Sequence, residues 1–242
     1  MRDKVYFTAD VHIGLEIDDP REREARFVSW LKSIEPDAKA LYLLGDIWDF
    51  WYEYKTVIPK DGIRVVAALI DLMDNGVEVY FMPGNHDIWT YSFFESIGIK
   101  KIRQPYYTEI GGRKFCLGHG DGLYEPRRSY RLMLKVFNSR FCQSLFSAIH
   151  PTLAFGMATG WSTKNRVSHT PYIWKGEEEP LVKFAVAQVA EGKSADYFIF
   201  GHYHVQAHQV LPCGGELFVT DSWMNGGMPC LVFDGESVRA QK

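Results

Sequence analysis

Polar residues that follow directly on apolar runs constrain this chain more than any other feature. Five such clusters stand between residues 10 and 204: Asp10-Val11-His12, Gly45-Asp46-Ile47-Trp48-Asp49, Gly84-Asn85-His86-Asp87, Gly118-His119-Gly120-Asp121 and Gly201-His202-Tyr203-His204. Carboxylates and imidazoles gathered where strands end are costly to hold out of water unless something pairs with them. Divalent metal ions are the simplest partner. Imidazoles mixed with carboxylates and an amide oxygen suit Mn²⁺, Fe²⁺ or Zn²⁺ better than Ca²⁺, which takes oxygen alone. No thiolate belongs to the clusters, which argues against a structural zinc site. The ligands outnumber what one ion needs. Two ions roughly 3.5–4 Å apart that share a carboxylate form the arrangement of phosphoester-cleaving sites.

The clusters span most of the 242 residues, so the chain reads as a single domain over 1–242; splitting it would split the site. With 46% hydrophobic residues it can bury a substantial core, and a net charge of −3 gives no global sign of nucleic-acid binding. Cys116, Cys142, Cys213 and Cys230 form no C-x-x-C pair and read as reduced thiols of a cytosolic protein. Met1-Arg2-Asp3-Lys4 leads straight into an apolar run, so no signal peptide is expected. No uncharged apolar stretch approaches the roughly 20 residues needed to span a bilayer.

Periodicity predicts strands over 4–9, 40–44 and 77–82, helices over 21–34 and 62–75, and a short helix over 92–98. Asn75-Gly76 has the form of a left-handed helix stop. This alternation predicts a mostly parallel sheet with helices outside it. Hairpins follow at 106–110 with 114–117 and at 207–211 with 217–220, together with a buried strand over 196–200 and strands near 230–233 and 237–239. The expected architecture is α/β: two mixed sheets face to face, flanked by helices in a four-layer α-β-β-α sandwich.

One segment, about 124–175, differs from the rest. It carries Arg127, Arg128, Arg131, Lys135, Arg140, Lys164, Arg166 and Lys175 against the single acid Glu125. Phe137, Phe141, Leu145, Phe146, Leu153, Phe155 and Met157 are interleaved with them. It reads as a helical cap inserted between the two metal-bearing halves, apolar and basic at once.

The order D-x-H, G-D-x-x-D, G-N-H-D, G-H-x-D, G-H-x-H resembles that of the calcineurin-like metallophosphoesterases, over roughly residues 4–234. The resemblance implies that Asp10, His12 and His204 hold one ion, that Asn85, His119 and His202 hold the second, and that Asp46 bridges them. Two such ions lower the pKa of a shared water, so that hydroxide is available near neutral pH. His86 would contact the phosphate or protonate the leaving group, held by Asp49. Asp87 and Asp121 would orient ligands or cap loops.

Within the family, the helical insertion and the strand Ala40-Leu41-Tyr42-Leu43-Leu44-Gly45-Asp46 are similar to those of the UDP-2,3-diacylglucosamine pyrophosphohydrolases of lipid A synthesis. That similarity implies a Mn²⁺-dependent enzyme, a lipid-linked nucleotide-sugar substrate, and a cytoplasmic protein peripherally associated with the inner membrane, with no nucleic-acid or obligate protein partner. A general phosphodiesterase or phosphomonoesterase is the alternative, with a non-catalytic scaffold on the same fold behind it. The expected substrate contacts are Asn85, His86, Arg127, Tyr130, Ser162, Lys164, Arg166 and His202. The best-known members of the branch carry arginine where this chain has His86, and histidine is not an equivalent fork donor.

Overall fold

The computed structural model describes residues 2–157, 160 and 172–241. The described strands, in chain order, are β1 (Lys4–Thr8), β2 (Ala38–Leu43), β3 (Glu78–Phe81), β4 (Lys100–Lys101), β5 (Tyr106–Ile110), β6 (Arg113–Leu117), β7 (Tyr197–Phe200), β8 (Ala207–Val210), β9 (Glu216–Val219), β10 (Leu231–Phe233) and β11 (Val238–Ala240). The helices are α1 (Pro20–Ile34), α2 (Ile63–Asp74), α3 (Phe93–Ser96), α4 (Arg128–Phe137), α5 (Arg140–Ser147) and α6 (Pro180–Ala190), with further helical residues at 151–157.

Two mixed sheets result, with strand orders β11-β10-β1-β2-β3-β4 and β5-β6-β7-β9-β8. Strands β1 to β4 run parallel in the first sheet, and β6, β7 and β9 run parallel in the second. Side chains alternate across each strand, and that alternation sorts the core into three layers. Val5 and Phe7 of β1, Ala40 and Tyr42 of β2, Phe115 and Leu117 of β6, and Tyr197 and Ile199 of β7 fill the space between the sheets. The opposite face of the first sheet, through Tyr6, Leu41, Leu43, Val79 and Phe81, packs on Phe27, Trp30 and Leu31 of α1 and Val65, Val66 and Leu69 of α2. The opposite face of the second, through Cys116, Phe198, Phe200 and Leu217, packs on Leu181, Val182 and Ala185 of α6. Helices therefore cover both outer faces, and the α-β-β-α order expected from the pattern is present.

Local signals explain where the helices start and stop. Asp19 caps α1 by accepting hydrogen bonds from the backbone N–H of Arg21 and Glu22, with Pro20 as the first helical residue. Helix α2 stops where Gly76 turns left-handed (φ +86°), and Val77 N then donates to Leu72 O. Helix α6 is the element the pattern did not mark. Its sequence PLVKFAVAQVA is apolar on nearly every side, so the 3.6-residue stripe that identifies α1 is absent.

The basic, apolar segment after β6 carries α4, α5 and the helical residues 151–157, and it packs on the loops that follow β2 and β3. Phe50, Tyr52 and Trp89 meet Phe137, Phe146 and Phe155 in a nest of ring contacts 4.6 to 6.3 Å between centroids. Hydrogen bonds fasten the same junction: Tyr52 OH donates to Gln143 O, Tyr54 OH to Ile149 O, and Trp89 Nε1 to Phe137 O. Phe146 thus faces the body of the protein, whereas Phe141 on the same helix is 72% exposed.

Phe7 tests the inter-sheet core. It is fully buried and stacks on Tyr42 at 5.3 Å and Phe115 at 5.7 Å. Phe7→Ala removes one ring from each interface and is expected to lower stability by about 3–5 kcal/mol. A urea unfolding curve measures this, and a loss under about 1 kcal/mol would show that the two sheets do not share one close-packed layer.

Candidate metal centre

All five polar clusters lie at the carboxyl ends of parallel strands: Asp10 and His12 after β1, Asp46 and Asp49 after β2, Asn85 to Asp87 after β3, His119 and Asp121 after β6, and His202 and His204 after β7. Ordinary strand geometry would throw Asp10 and His12 to opposite faces. Left-handed backbone solves this. Asp10 (φ +55°), His12 (+53°), Asp46 (+54°), His202 (+72°) and His204 (+51°) all adopt it. Non-glycine residues held in this region are strained, and such strain collects at functional sites where the surroundings enforce it. The surroundings leave little room: a Cβ on Gly84 would overlap Asp46 Oδ1, and one on Gly201 would overlap Asp10 Oδ2.

The side chains converge on two neighbouring points. Around the first, His12 Nε2 lies 3.2 Å from His204 Nε2, and Asp10 Oδ1 lies 3.3 Å from His204 Nε2 and 3.8 Å from His12 Nε2. Around the second, His119 Nε2 lies 3.3 Å from both Asp46 Oδ2 and Asn85 Oδ1, and its ring meets that of His202 at 5.1 Å. Asp46 Oδ2 is also 3.9 Å from His12 Nε2, so it stands between the two points. Among the described residues, three sets of ligand atoms fall within 4.8 Å of one another: Asp10/His12/His204, Asp46/His119/His202 and His12/Asp46/His86.

These residues fit a pair of cations. Asp10 Oδ1 is buried without accepting any hydrogen bond, while its partner oxygen is satisfied by His202 N at 2.8 Å. Facing Nε2 atoms need a shared acceptor of their lone pairs or a proton between them, and a metal ion supplies the former. The far side of two of these rings is already engaged: His119 Nδ1 donates to Leu44 O at 2.9 Å, and His12 Nδ1 lies 3.2 Å from Asp49 Oδ1. Imidazoles that ligate metals are oriented by this kind of second contact, which leaves the Nε2 lone pair pointing inward.

Burial opposes ionisation of Asp46, but His119, His86 and His12 beside it outweigh that and hold its carboxyl well below the usual range. Asp46 in turn holds His119 well above its ordinary range against the effect of burial. Burial and the neighbouring His119 push His202 down to about 4, leaving it a neutral imidazole at pH 7.

The remaining expected residues divide by position. His86 Nδ1 donates to the carbonyl of Asp49 at 2.8 Å, and the Asp49 carboxylate stands 3.4 Å away while lying closer to His12. Asp49 therefore serves two rings rather than His86 alone. Asp87 is a loop cap: its carboxylate accepts from the backbone N–H of Gly84, Asp46, Ile47 and Trp48. Asp121 accepts from Gln104 Nε2. Tyr130 is partly buried, and its hydroxyl pKa is raised first by burial and then by the charges of Asp121 and Asp46. Arg127 is held in a two-pronged pair with Glu125 and lies over the Tyr130 ring at 5.2 Å. Ser162, Lys164 and Arg166 lie outside the described residues.

Arg23 was not anticipated. It is buried in α1 and donates to the carbonyls of His12, Leu15 and Ile17, pinning the loop that carries His12. An arginine one turn before Phe27 on the apolar face of the helix was the available signal.

The sequence matches the calcineurin-like phosphoesterase family over residues 3–206. It is 33% identical to a UDP-2,3-diacylglucosamine hydrolase of Porphyromonas gingivalis over 240 residues, covering 93% of this chain and 92% of that protein. UDP-2,3-diacylglucosamine hydrolases of Proteus mirabilis and Stenotrophomonas maltophilia are each 28% identical. The first alignment covers 87% of this chain and 85% of the relative, and the second covers 91% of each. The ordered clusters, their placement at the ends of parallel strands and the match over most of the chain lead to one conclusion: this protein belongs to the calcineurin-like phosphoesterase family.

Proposed function

We propose that this protein hydrolyses the pyrophosphate bond of UDP-2,3-diacylglucosamine, giving UMP and 2,3-diacylglucosamine 1-phosphate, a step of lipid A biosynthesis. The observation that carries the reading is the docking of an apolar, basic helical insertion on the loops that bear the ligands. Similarity over nearly the full length to proteins named for that substrate supports it.

Asp10, His12 and His204 hold one ion in this reading, Asn85, His119 and His202 the other, and Asp46 joins them. Mn²⁺ suits the nitrogen-and-oxygen donor set, with Fe²⁺ or Zn²⁺ as alternatives. When bound, the ions supply hydroxide near neutral pH and neutralise charge on the phosphate oxygens. The protein's own groups do the rest. Asp49 fixes the His12 ring, and Asp87 holds the loop carrying Asp46 against that carrying Asn85. His86, whose Nδ1–H is committed to a carbonyl, would present Nε2 to the phosphate being released, and as the imidazolium it could give that phosphate a hydrogen bond or the Nε2 proton. Arg127, Tyr130, Ser162, Lys164 and Arg166 contact substrate from the insertion, with Asn85 and His202 doing so from the centre.

The insertion also carries the lipid side. Leu132, Phe141, Leu145, Leu153 and Met157 are each at least 60% exposed, beside Arg128, Arg131, Lys135 and Arg140. An amphipathic surface of this kind binds acyl chains and an anionic bilayer face together. Peripheral association with the cytosolic surface of the inner membrane follows, and no described helix is long and apolar enough to cross a membrane.

His86 favours a second reading, a general phosphodiesterase, because it lacks the two-pronged phosphate grip of arginine. Turnover of UDP-2,3-diacylglucosamine, UDP-glucose and bis(4-nitrophenyl) phosphate by the Mn²⁺-loaded protein separates the two. A strong preference for the acylated nucleotide sugar is expected, and equal rates would favour the general enzyme.

Asp46→Ala is expected to abolish turnover of every phosphoester. It should also remove the rise in melting temperature that Mn²⁺ gives the native protein, since a ligand specific for the folded state stabilises it by mass action. Retained turnover would sink the two-ion mechanism. Phe141→Asp combined with Leu145→Asp removes two exposed apolar side chains worth about 1.5–3 kcal/mol each when covered. The loss in kcat/KM should therefore be at least tenfold larger on diacylated substrate than on the chromogenic diester.

A further inference from the structure

A cleft of about 280 Å³ opens at the same end of the molecule as the ligand clusters, on the flank away from the helical insertion. Its place follows from the topology. In the first sheet the insertion packs over the loops after β2 and β3, whereas β10 and β11 lie on the other side of β1. Strand β10 is antiparallel to β1 with Leu231 opposite Phe7, and Ala240 pairs with Leu231. Cys230, Leu231 and Gln241 therefore stand beside the end of β1 that leads into Asp10, and they line the cleft. The opposite wall is the loop after β9, with Thr220, Asp221, Ser222 and Asn225, and Gln206, two residues beyond His204. That loop is tied to the metal centre directly: Trp223 N donates to the carbonyl of Asp10 at 3.0 Å.

The two flanks differ in chemistry. The insertion side is apolar and basic, while the cleft sets amide, hydroxyl and carboxylate side chains such as those of Gln206, Asp221, Ser222 and Asn225 among apolar ones such as Met228 and Leu231, with no basic residue. A pyrophosphate diester carries one substituent on each phosphorus, so a centre that grips the bridge sends the substituents in opposite directions. At about 280 Å³ the cleft is just smaller than the roughly 300–1,000 Å³ of sites that enclose a whole drug-sized ligand. It has room for one polar half of such a substrate.

We propose that this cleft is the nucleoside subsite and that Asp221 determines its preference for uracil, an inference that rests on the function proposed above. Asp221 Oδ1 accepts the Ser222 backbone N–H at 2.7 Å, and no described group hydrogen-bonds to Oδ2. That oxygen is an acceptor for the imide N3–H, which uracil has and cytosine lacks. The amides of Gln206 and Asn225 supply donors for the ring carbonyls, and the exposed Met228 supplies an apolar contact for the ring face.

Calorimetric titration of the Mn²⁺-loaded full-length protein with UMP, CMP and inorganic phosphate tests this without requiring turnover. UMP is expected to bind at least about tenfold more tightly than CMP, the difference made by one hydrogen bond to a charged group. Asp221→Asn should weaken UMP about tenfold and abolish the preference over CMP. Gln206→Ala should weaken both nucleotides, and it carries the test if the first variant does not fold. Equal affinities for UMP, CMP and phosphate in the wild type, or unchanged UMP affinity in folded Asp221→Asn, would overturn the subsite. The two proposals fail separately. Selective UMP binding without cleavage of UDP-2,3-diacylglucosamine would count against the function and leave the subsite standing. Cleavage with no uracil preference would do the reverse.

Discussion

Everything at the functional end of this molecule depends on holding buried charge where five loops meet. Asp10, His12 and His119 are fully buried and Asp46 nearly so, in contact with one another and with little water to solvate them. Such a group is unfavourable unless each polar atom has a partner. The protein supplies those partners from its backbone: His202 N for Asp10, His86 N for Asp46, the Leu44 carbonyl for His119. The inward-facing Asp10 Oδ1 accepts no hydrogen bond, and the Nε2 atoms of His12 and His204 face each other beside it, a donor set that a pair of cations would suit. The left-handed backbone at five of these residues is a consequence of the same demand. A relaxed strand end could not aim alternate residues at one point.

The two-sheet body is what makes that strain tolerable. The loops that carry Asp10 and Asp46 leave strands β1 and β2, which are packed on both faces. Asp87 and Arg23 then act as clamps from outside the cluster. One gathers four backbone N–H groups from two loops, and the other gathers three carbonyls from the loop after β1. Neither faces the ligand points, yet either loss would free a loop whose side chain does.

The layers were legible in the sequence because strand alternation and helical stripes are local patterns. The clusters were legible because carboxylates and imidazoles after apolar runs have few other uses. Helix α6 escaped because apolar residues such as Val186, Ala187 and Val189 also occupy its outer side, and they erase the stripe. The family pattern pairs Asp49 with His86, and its closer approach to His12 depends on the path of two loops far apart in sequence. The insertion shows the same limit at finer scale. Phe141 and Phe146 are alike in type and five residues apart, yet one faces solvent and the other fills the aromatic nest around Trp89. Composition announces an amphipathic segment, while only the docking of Tyr52 and Trp89 tells which rings anchor it and which are presented.

A metal centre of this kind is indifferent to what hangs from the phosphates, so substrate choice has to be made on its flanks. His86 sharpens that requirement. An arginine at this position would grip phosphate with two prongs, whereas an imidazole whose Nδ1 is spent on a carbonyl offers a single contact. Less of the binding free energy can then come from the phosphates. In the proposed reading more comes from the insertion on one side and the cleft on the other, and their chemistry differs: Phe141 and Leu145 are exposed beside basic residues, and Asp221 and Asn225 line a small recess. Binding realised away from the reacting atoms can still serve the reaction if it aligns the bridge between the two ligand points. The tie from Trp223 N to the Asp10 carbonyl and the packing of Phe50, next to Asp49, against Phe155 connect each flank to a residue of the centre.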